Sequence, residues 1–359
     1  MNESKDRPMP AHKKPSGTKA KKPAAKAIAP TEIDYRSGKM PQWVKDAIEE
    51  QFHIENEDAK SAGSVGFMAR ALVLATMPYK DPKADVFKRQ NGDFALRIVA
   101  GYEGGIPFGI YPRLLMSWVA TEAVRTKSPV IELGDSLSQF LRDVLEVRSS
   151  SGGARGTATR VTEQMKRLFG SLITAQYSGG LEGRGFRLRN VMIADGLQLA
   201  DDFADALGLD ETVPDTDLQK GKEDKLWVPQ VRELAGSWKS EVSLSESFFR
   251  ECITRPVPID LRAYRALRGS PLAMDVYTWL TYRMSYLQRR SRPIPWEALM
   301  HQFGSTYSTA SAVRDFKKAF ITALKAVTTV YSKANVEVTD SGLILAPSPP
   351  HITRQADLF

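Results

Sequence analysis

The sequence predicts an α+β chain, mainly helical, in which one helix-rich unit occurs twice behind a disordered basic tail. Three observations carry this. Residues 1–30, MNESKDRPMPAHKKPSGTKAKKPAAKAIAP, are rich in Lys, Pro and Ala and nearly empty of large apolar groups. Such a stretch cannot bury enough surface to offset chain entropy. Beyond it, apolar residues recur mostly at helical spacing, broken by short runs with a period of two. Finally, the order helix, strand, helix, helix, strand, turn, strand is legible twice, about 160 residues apart, which reads as a domain duplication rather than a solenoid.

The elements follow in order. Residues 41–54 form an amphipathic helix after Pro41, with Trp43, Val44, Ala47, Ile48 and Phe52 on one side. Residues 65–77 are a second buried segment, either strand or short helix. FALRIVAGYEGGIPFG alternates Phe94, Leu96 and Ile98 before a glycine-rich turn, predicting a strand and hairpin. The first unit then opens at Pro112, where a helix buries Leu115, Trp118, Val119 and Ala123. The strand VIEL follows. A second helix starts at Asp135/Ser136, and Ser136 and Gln139 have capping-box spacing. After RSSSGGARG comes the helix TATRVTEQMKRLFGSL. The unit closes with a hairpin over ITAQYSGGLEGRGFRLRNVMIAD, with Phe186 and Leu188 facing one way and Arg187 and Arg189 the other.

An acidic loop, 195–224, separates this unit from the next, followed by strand-like LWVPQV and WKSEVSL and a helix SESFFRECI. The second unit repeats the plan. Pro271 starts a helix in which Trp279 and Leu280 echo Trp118 and Val119, and RPIPW takes the place of PVIEL. WEALMHQF stops at Gly304, and the long helix STASAVRDFKKAFITALKAVTTVY follows. The hairpin NVEVTDSGLILAPS carries Val336, Val338, Leu343 and Leu345 on a period of two. A helix-turn-helix closed by a β-hairpin is the layout of a winged-helix domain. The expected organisation is therefore a tail at 1–30, a winged-helix domain at 31–240 and a second at 241–359, with the boundary near residue 240.

The net charge of +8 is unevenly spread. The tail alone is +6, from eight Lys/Arg against Glu3 and Asp6. Residues 148–190 hold eight Arg/Lys against Glu163 and Glu182, and residues 250–293 hold nine Arg against Glu251, Asp260 and Asp275. The connector 195–224 holds ten acids against Lys220 and Lys222. Basic surfaces separated by an acidic connector suit a polyanionic partner. Two roles fit the tail: nonspecific phosphate affinity, or solubility.

Each candidate reading helix has a buried stripe and a cationic face. Around Val313, residues Phe316, Phe320, Leu324 and Val327 share one side. Ser308 and Ser311 lead into the other, which carries Arg314, Asp315, Lys318, Thr322 and Lys325, and Lys317 sits at the stripe's edge. Around Val161, residues Met165, Leu168 and Leu172 stay together. Thr159, Glu163, Lys166 and Arg167 lie opposite, Arg160 lies to one side, and Arg155 leads in. Arginine reads guanine edges, while Lys, Ser and Thr suit phosphates. Arg184, Arg187 and Arg189 extend the first surface along its hairpin. Two such helices in successive major grooves would cover roughly 20 bp, and their different exposed residues imply an asymmetric site repeated head-to-tail.

Other chemistries lack their motifs. No GxxxxGK[ST] indicates a P-loop. The histidines, His12, His53, His301 and His351, show no metal-ligand spacing, and no paired carboxylates stand out. GYEGGIPFG lacks the register of a phosphate loop and reads as a plain turn. Cys252, beside Phe248 and Phe249, is a core residue, and a single cysteine fits a reducing cytoplasm. No apolar run reaches the roughly 18 residues that span a bilayer, and no secretory signal leads the chain. The expectation is a DNA-binding protein that is not an enzyme and needs no cofactor or metal.

Residues from roughly 90 to 350 resemble a known family, the plasmid-encoded RepA-type replication initiators. The likeness rests on IPFGIYPRLLMSWVATEAVRTKSPVIELGDSLSQFLRD, SGGARGTATRVTEQMKRLF, VSLSESFF, RPVPIDLRAYRALRGSPLAMDVYTWLTYRM, IPWEALMHQFG and VYSKANVEVTDSGLILAPSPP. The tail lies outside it. The resemblance implies binding to tandem repeats (iterons) in double-stranded plasmid origin DNA and opening of adjacent AT-rich DNA. It also implies recruitment of host replication proteins, among them the replicative helicase and the host initiator. In such proteins monomers initiate, and homodimers repress or pair origins. A transcriptional repressor without initiation activity is the alternative expectation.

Overall fold

The computed structural model describes residues 26–27, 41–134, 140–141, 156–177, 187–199, 240–254, 256–304 and 311–352. The fold is α+β with helix predominating. The first half runs β1 (Lys26–Ala27), α1 (Gln42–Asn56), β2 (Val65–Met68), α2 (Arg70–Leu74), β3 (Val86–Asn91), β4 (Phe94–Val99), α3 (Tyr111–Thr126), β5 (Val130–Gly134), α4 (Thr157–Phe169), β6 (Leu172–Tyr177), β7 (Arg187–Met192) and β8 (Ala194–Gln198). The second runs β9 (Ser240–Leu244), α5 (Glu246–Thr254), β10 (Val257–Asp260), α6 (Leu261–Ala266), α7 (Pro271–Met284), β11 (Ile294–Pro295), α8 (Trp296–Phe303), α9 (Ala312–Val330), β12 (Val336–Val338) and β13 (Gly342–Leu345).

Local chemistry sets the helix ends. Proline stands in the first turn of both α3 and α7, where its missing N–H costs nothing. The Ser270 side chain accepts from Ala273 N at 3.2 Å, and Asp260 accepts from Arg262 N at 2.9 Å, capping α7 and α6. Gly304 ends α8 because the chain turns back so tightly that a Cβ there would lie 2.4 Å from the Met300 carbonyl.

The second unit joins its short strand to its hairpin. β11 pairs with β13, β13 with β12, and α8 and α9 lie between β11 and the hairpin in sequence. The first unit departs from it. Its hairpin β6–β7 is half of a four-stranded sheet, β3-β4-β6-β7, and β5 pairs instead with β9 in a sheet ordered β5-β9-β8. The cause is the β3–β4 hairpin, which brings Leu96 and Ile98 opposite Ala175 and Ile173 and so occupies the edge of β6.

Other expectations also change. The hairpin partner of Phe94–Val99 lies before it, across the turn at Gly92, not after the glycine-rich segment. Leu172 begins β6 rather than continuing α4, which ends at Gly170. Residues 195–198, placed in the acidic loop, are strand β8. Lys26–Ala27, assigned to a disordered tail, pairs with the open edge of β12. The boundary near residue 240 falls on β9, whose two neighbours both belong to the first unit. Expectations for 1–25, Asp135–Gln139, LWVPQV and the start of the long helix at Ser308 lie outside the described residues.

One continuous apolar core serves both halves. β10 pairs with β2 along four residues, and α1 packs on α6 and α9. At the centre Arg113 of α3 forms a two-pronged ion pair with Asp275 of α7, at 2.9 and 2.7 Å. Its remaining N–H groups donate to the carbonyls of Met77, Pro78 and Gly109. Burial alone would lower the Arg113 pKa, but the Asp275 carboxylate outweighs it and holds the guanidinium above its ordinary value.

Candidate nucleic-acid interface

α9 is fixed in rotation by an aromatic cluster. Phe320 meets Trp296, Phe303 and Phe316 at ring-centroid distances of 6.1, 5.5 and 5.5 Å, and Trp279 meets Phe303 at 5.5 Å. Close ring packing, edge-to-face in all but the Phe316–Phe320 contact, admits little rolling of the helix. With Phe316, Phe320, Leu324 and Val327 buried, the opposite face presents Arg314, Asp315, Lys318 and Thr322 to solvent. The helical spacing in the sequence predicted that split. Ser311 and Lys325 are half-buried at its margins. Lys317 is engaged within the fold. Its ammonium lies 3.6 Å from Asp340 on the β12–β13 turn and 5.1 Å from the Trp296 ring. Ser308 lies outside the described residues.

In the first unit α4 buries Val161, Met165 and Leu168. Arg160 is exposed, while Thr159 and Lys166 are half-buried, Lys166 lying 5.9 Å from the Tyr102 ring. Arg167 was expected on the polar face, yet its side chain is only 14% exposed. It bonds Glu163 at 2.9 Å, approaches Asp81 at 3.5 Å and covers the Phe108 ring at 5.2 Å. The glycine-rich segment 101–109 packs here as a plain turn, tied to the helix by Phe108 N donating to the Gln164 side chain at 2.9 Å. Arg187 and Arg189 are in β7, paired with Tyr177 and Ala175. Arg155 and Arg184 lie outside the described residues.

The strands add two cations that the sequence reading passed over. Lys88 and Arg97 stand directly opposite one another on β3 and β4, and both are exposed. The same cross-strand row continues through Thr174 and Asn190, which are uncharged and bonded to each other at 2.8 Å. Like charges directly opposite repel, and neither Thr174 nor Asn190 offsets them. Alternation in VFKRQN and FALRIV was the available signal, but only its apolar half was read.

Other reactive groups are quiet. Cys252 is buried, and desolvation raises its thiol to about 12. Among the described residues no group of His, Cys, Asp and Glu is placed to hold a metal, and no helix is long and apolar enough to cross a membrane.

A family model described as plasmid-encoded RepA protein matches residues 106–206 and 211–298 of this chain. No curated protein matches it. Among solved structures, it is similar to a selenomethionine crystal structure of domains 2 and 3 of RctB, with a TM-score of 0.44 and 12% identity over 79% of this chain and 99% of that one. A second crystal structure, of RctB domains 2-3 (residues 155–483), aligns with a TM-score of 0.44 and 13% identity over 77% and 96% of the two chains.

Proposed function

The chain belongs to the plasmid-encoded RepA protein family, a family of replication initiators, and from this premise we propose how it acts on its origin. It binds tandem repeats in double-stranded origin DNA through two winged-helix units. Binding promotes opening of the adjacent DNA and recruits host replication proteins. A second copy of the chain provides the repressing, origin-pairing form.

The observation that carries the reading is the outer face of α9. Arg314 and Lys318 stand one turn apart near the helix N-terminus, on a helix locked from behind by Phe316 and Phe320. That is the arrangement a major-groove reading helix requires. The strand order β11-β13-β12 beside α8 and α9 favours the winged-helix reading of this unit. For the first unit the support is thinner, because its hairpin is absorbed into a larger sheet. There the reading rests on Arg160 and on the Lys88–Arg97 row, which suits phosphates rather than bases.

The test is binding of the purified chain to duplexes carrying the repeats that flank its gene. Arg314→Ala or Lys318→Ala is expected to weaken binding by about 1–3 kcal/mol where the residue reads a base. Where it touches phosphate only, all sequences should be affected alike and the salt slope should fall by about 1. Wild-type affinity in both variants would remove α9 as the reader. A chain that binds the repeats but cannot maintain a minimal origin plasmid would be a repressor instead.

A further inference from the structure

β1 brings the N-terminal tail to one particular edge of the second unit. Lys26 lies opposite Val338 and Ala27 opposite Glu337, so β1 is the outermost strand of the sheet β1-β12-β13-β11. The pairing is antiparallel, and that fixes a direction. β12 runs from Val336 toward the turn at 339–341, so β1 runs away from that turn. Followed backwards from Lys26, the chain therefore leaves the sheet at its turn end. That end is joined to the reading helices. Asp340 on the turn lies 3.6 Å from the ammonium of Lys317, in the second turn of α9. The Thr339 carbonyl accepts from the indole N–H of Trp296, the first residue of α8, at 3.1 Å. The departure point of the tail and the first turns of α9, which carry Arg314 and Lys318 outward, are thus held at one end of the unit.

The composition of the tail suits a polyanion. Between Asp6 and Lys26 stand Arg7, Lys13, Lys14, Lys19, Lys21 and Lys22, with no acid among them. The acids of the adjoining hairpin are already engaged, Glu337 with Arg290 at 2.6 Å and Asp340 with Lys317. Lys19, Lys21 and Lys22 stand four to seven residues before Lys26, a reach of at most about 25 Å. A minor groove lies about 17 Å, half a helical turn, from the major groove beside it. These three lysines can therefore meet the backbone that borders it. A tail leaving from the opposite end of the sheet would first have to double back along the hairpin.

We propose that residues 1–25 are a duplex-tracking arm. β1 directs it along the backbone that borders the minor groove next to the major groove read by α9, with Lys19, Lys21 and Lys22 on the phosphates. The proposal rests on the reading of α9 as the helix that meets the repeat. It decides between the two roles open to the tail, because solubility needs charge but no particular anchor.

The test is hydroxyl-radical footprinting of the full chain on the repeat duplex, with binding curves at several salt concentrations. Deleting residues 1–25 should uncover nucleotides at one end of each repeat only, the end beside the α9 groove, and leave the rest of the footprint in place. Changing Lys19, Lys21 and Lys22 together to Gln should uncover the same nucleotides. It should weaken binding at least about tenfold and lower the salt slope by about 3. An iron chelate on Ala20→Cys should cut DNA next to the sites cut from a chelate on Ser341→Cys in the hairpin turn, and the native Cys252 is buried and out of reach of the label. Moving residues 1–25 to follow Phe359 keeps the charge and removes the anchor, so it should not restore the lost protection. A deletion that leaves every protected nucleotide in place, or a relocated tail that restores protection in full, would overturn the proposal. Either result would leave the initiator reading standing. An intact chain that protects no repeat would defeat that reading and the arm together.

Discussion

Arg160 and Arg167 lie two turns apart on α4, and the sequence places Arg167 on its polar face with Arg160 to one side. The structure separates their fates. Arg160 projects to solvent, while Arg167 is covered by Asp81, Glu163 and Phe108. A helical projection sees only its own helix. Asp81 and Phe108 arrive from distant segments, so no periodicity in TATRVTEQMKRLF announces them. The same limit hid the capture of Lys317 by Asp340 and Trp296. It did not affect Arg314 and Lys318, whose exposure follows from the burial of Phe316 and Phe320 alone. Arg167→Ala is therefore expected to cost about 1 kcal/mol of stability, from a partly buried ion pair and a cation–π contact. Arg160→Ala, at an exposed side chain, should lower the urea midpoint less than Arg167→Ala and reduce affinity for origin DNA. Paired urea titrations and duplex-binding curves on the two variants measure this. Equal stability losses would mean that the two arginines are not distinguished as the geometry says.

At the scale of elements, α3, α7, α8 and α9 were legible because each has an unbroken apolar stripe and a chemical stop. Strand partners were not legible. Nothing in VIEL says that it pairs with Glu241 and Val242 rather than with the nearby hairpin, because period-two alternation fixes a face and not a neighbour. The C-terminal segment was likewise unread, and it is held by a histidine. His351 stacks on Tyr331 at 4.5 Å and meets Tyr277 edge-on at 5.6 Å. Its Nδ1 and the Tyr277 hydroxyl share a hydrogen bond at 2.8 Å, and that hydroxyl accepts from Asp260 N at 2.9 Å. Burial lowers the imidazole to about 4. Asp260 favours its protonation, and Arg262 and Lys333 oppose it. Above the unfolded value near 6.5 the ring is neutral in both states and contributes no pH dependence. As pH falls from there toward 4, the unfolded chain takes up a proton that the folded chain refuses, so stability drops. Between pH 7 and 5 the loss from this one group should be about 2 kcal/mol. His351→Gln keeps an acceptor and cannot titrate, so its urea midpoint should change less over that range. Identical pH profiles for the variant and the wild type would exclude the clamp.

Taken as a whole, the molecule is less divisible than a reading of two tandem units suggests. α3 and α7 each open on proline and bury their middle. From a repeated plan the sequence reading placed a boundary near residue 240. Three connections cross that boundary. β9 is the central strand between β5 and β8. β2 and β10 pair through Val65–Met68 and Val257–Asp260, and Arg262 then reaches back to the carbonyls of His53 and Glu57 at the end of α1. The Arg113–Asp275 pair joins the two proline-led helices themselves. None was visible in sequence, since each links residues far apart whose local patterns are complete without it. Their energetics are lopsided. Keeping a buried ion pair adds little net stability, whereas removing one partner strands a charge and costs about 3–5 kcal/mol. Separating the halves at 240 would strand Asp275, bare the β10 edge and uncover the face of α9 that α1 covers. A fragment of residues 241–359 should therefore fail to fold alone, despite holding every element of the second unit. Circular dichroism melting of that fragment checks this. The full chain should unfold in one transition, and Asp275→Asn should lower that single midpoint rather than split it. A cooperative melt of the isolated fragment, or two resolved transitions in the intact chain, would show that the halves are independent domains that merely touch.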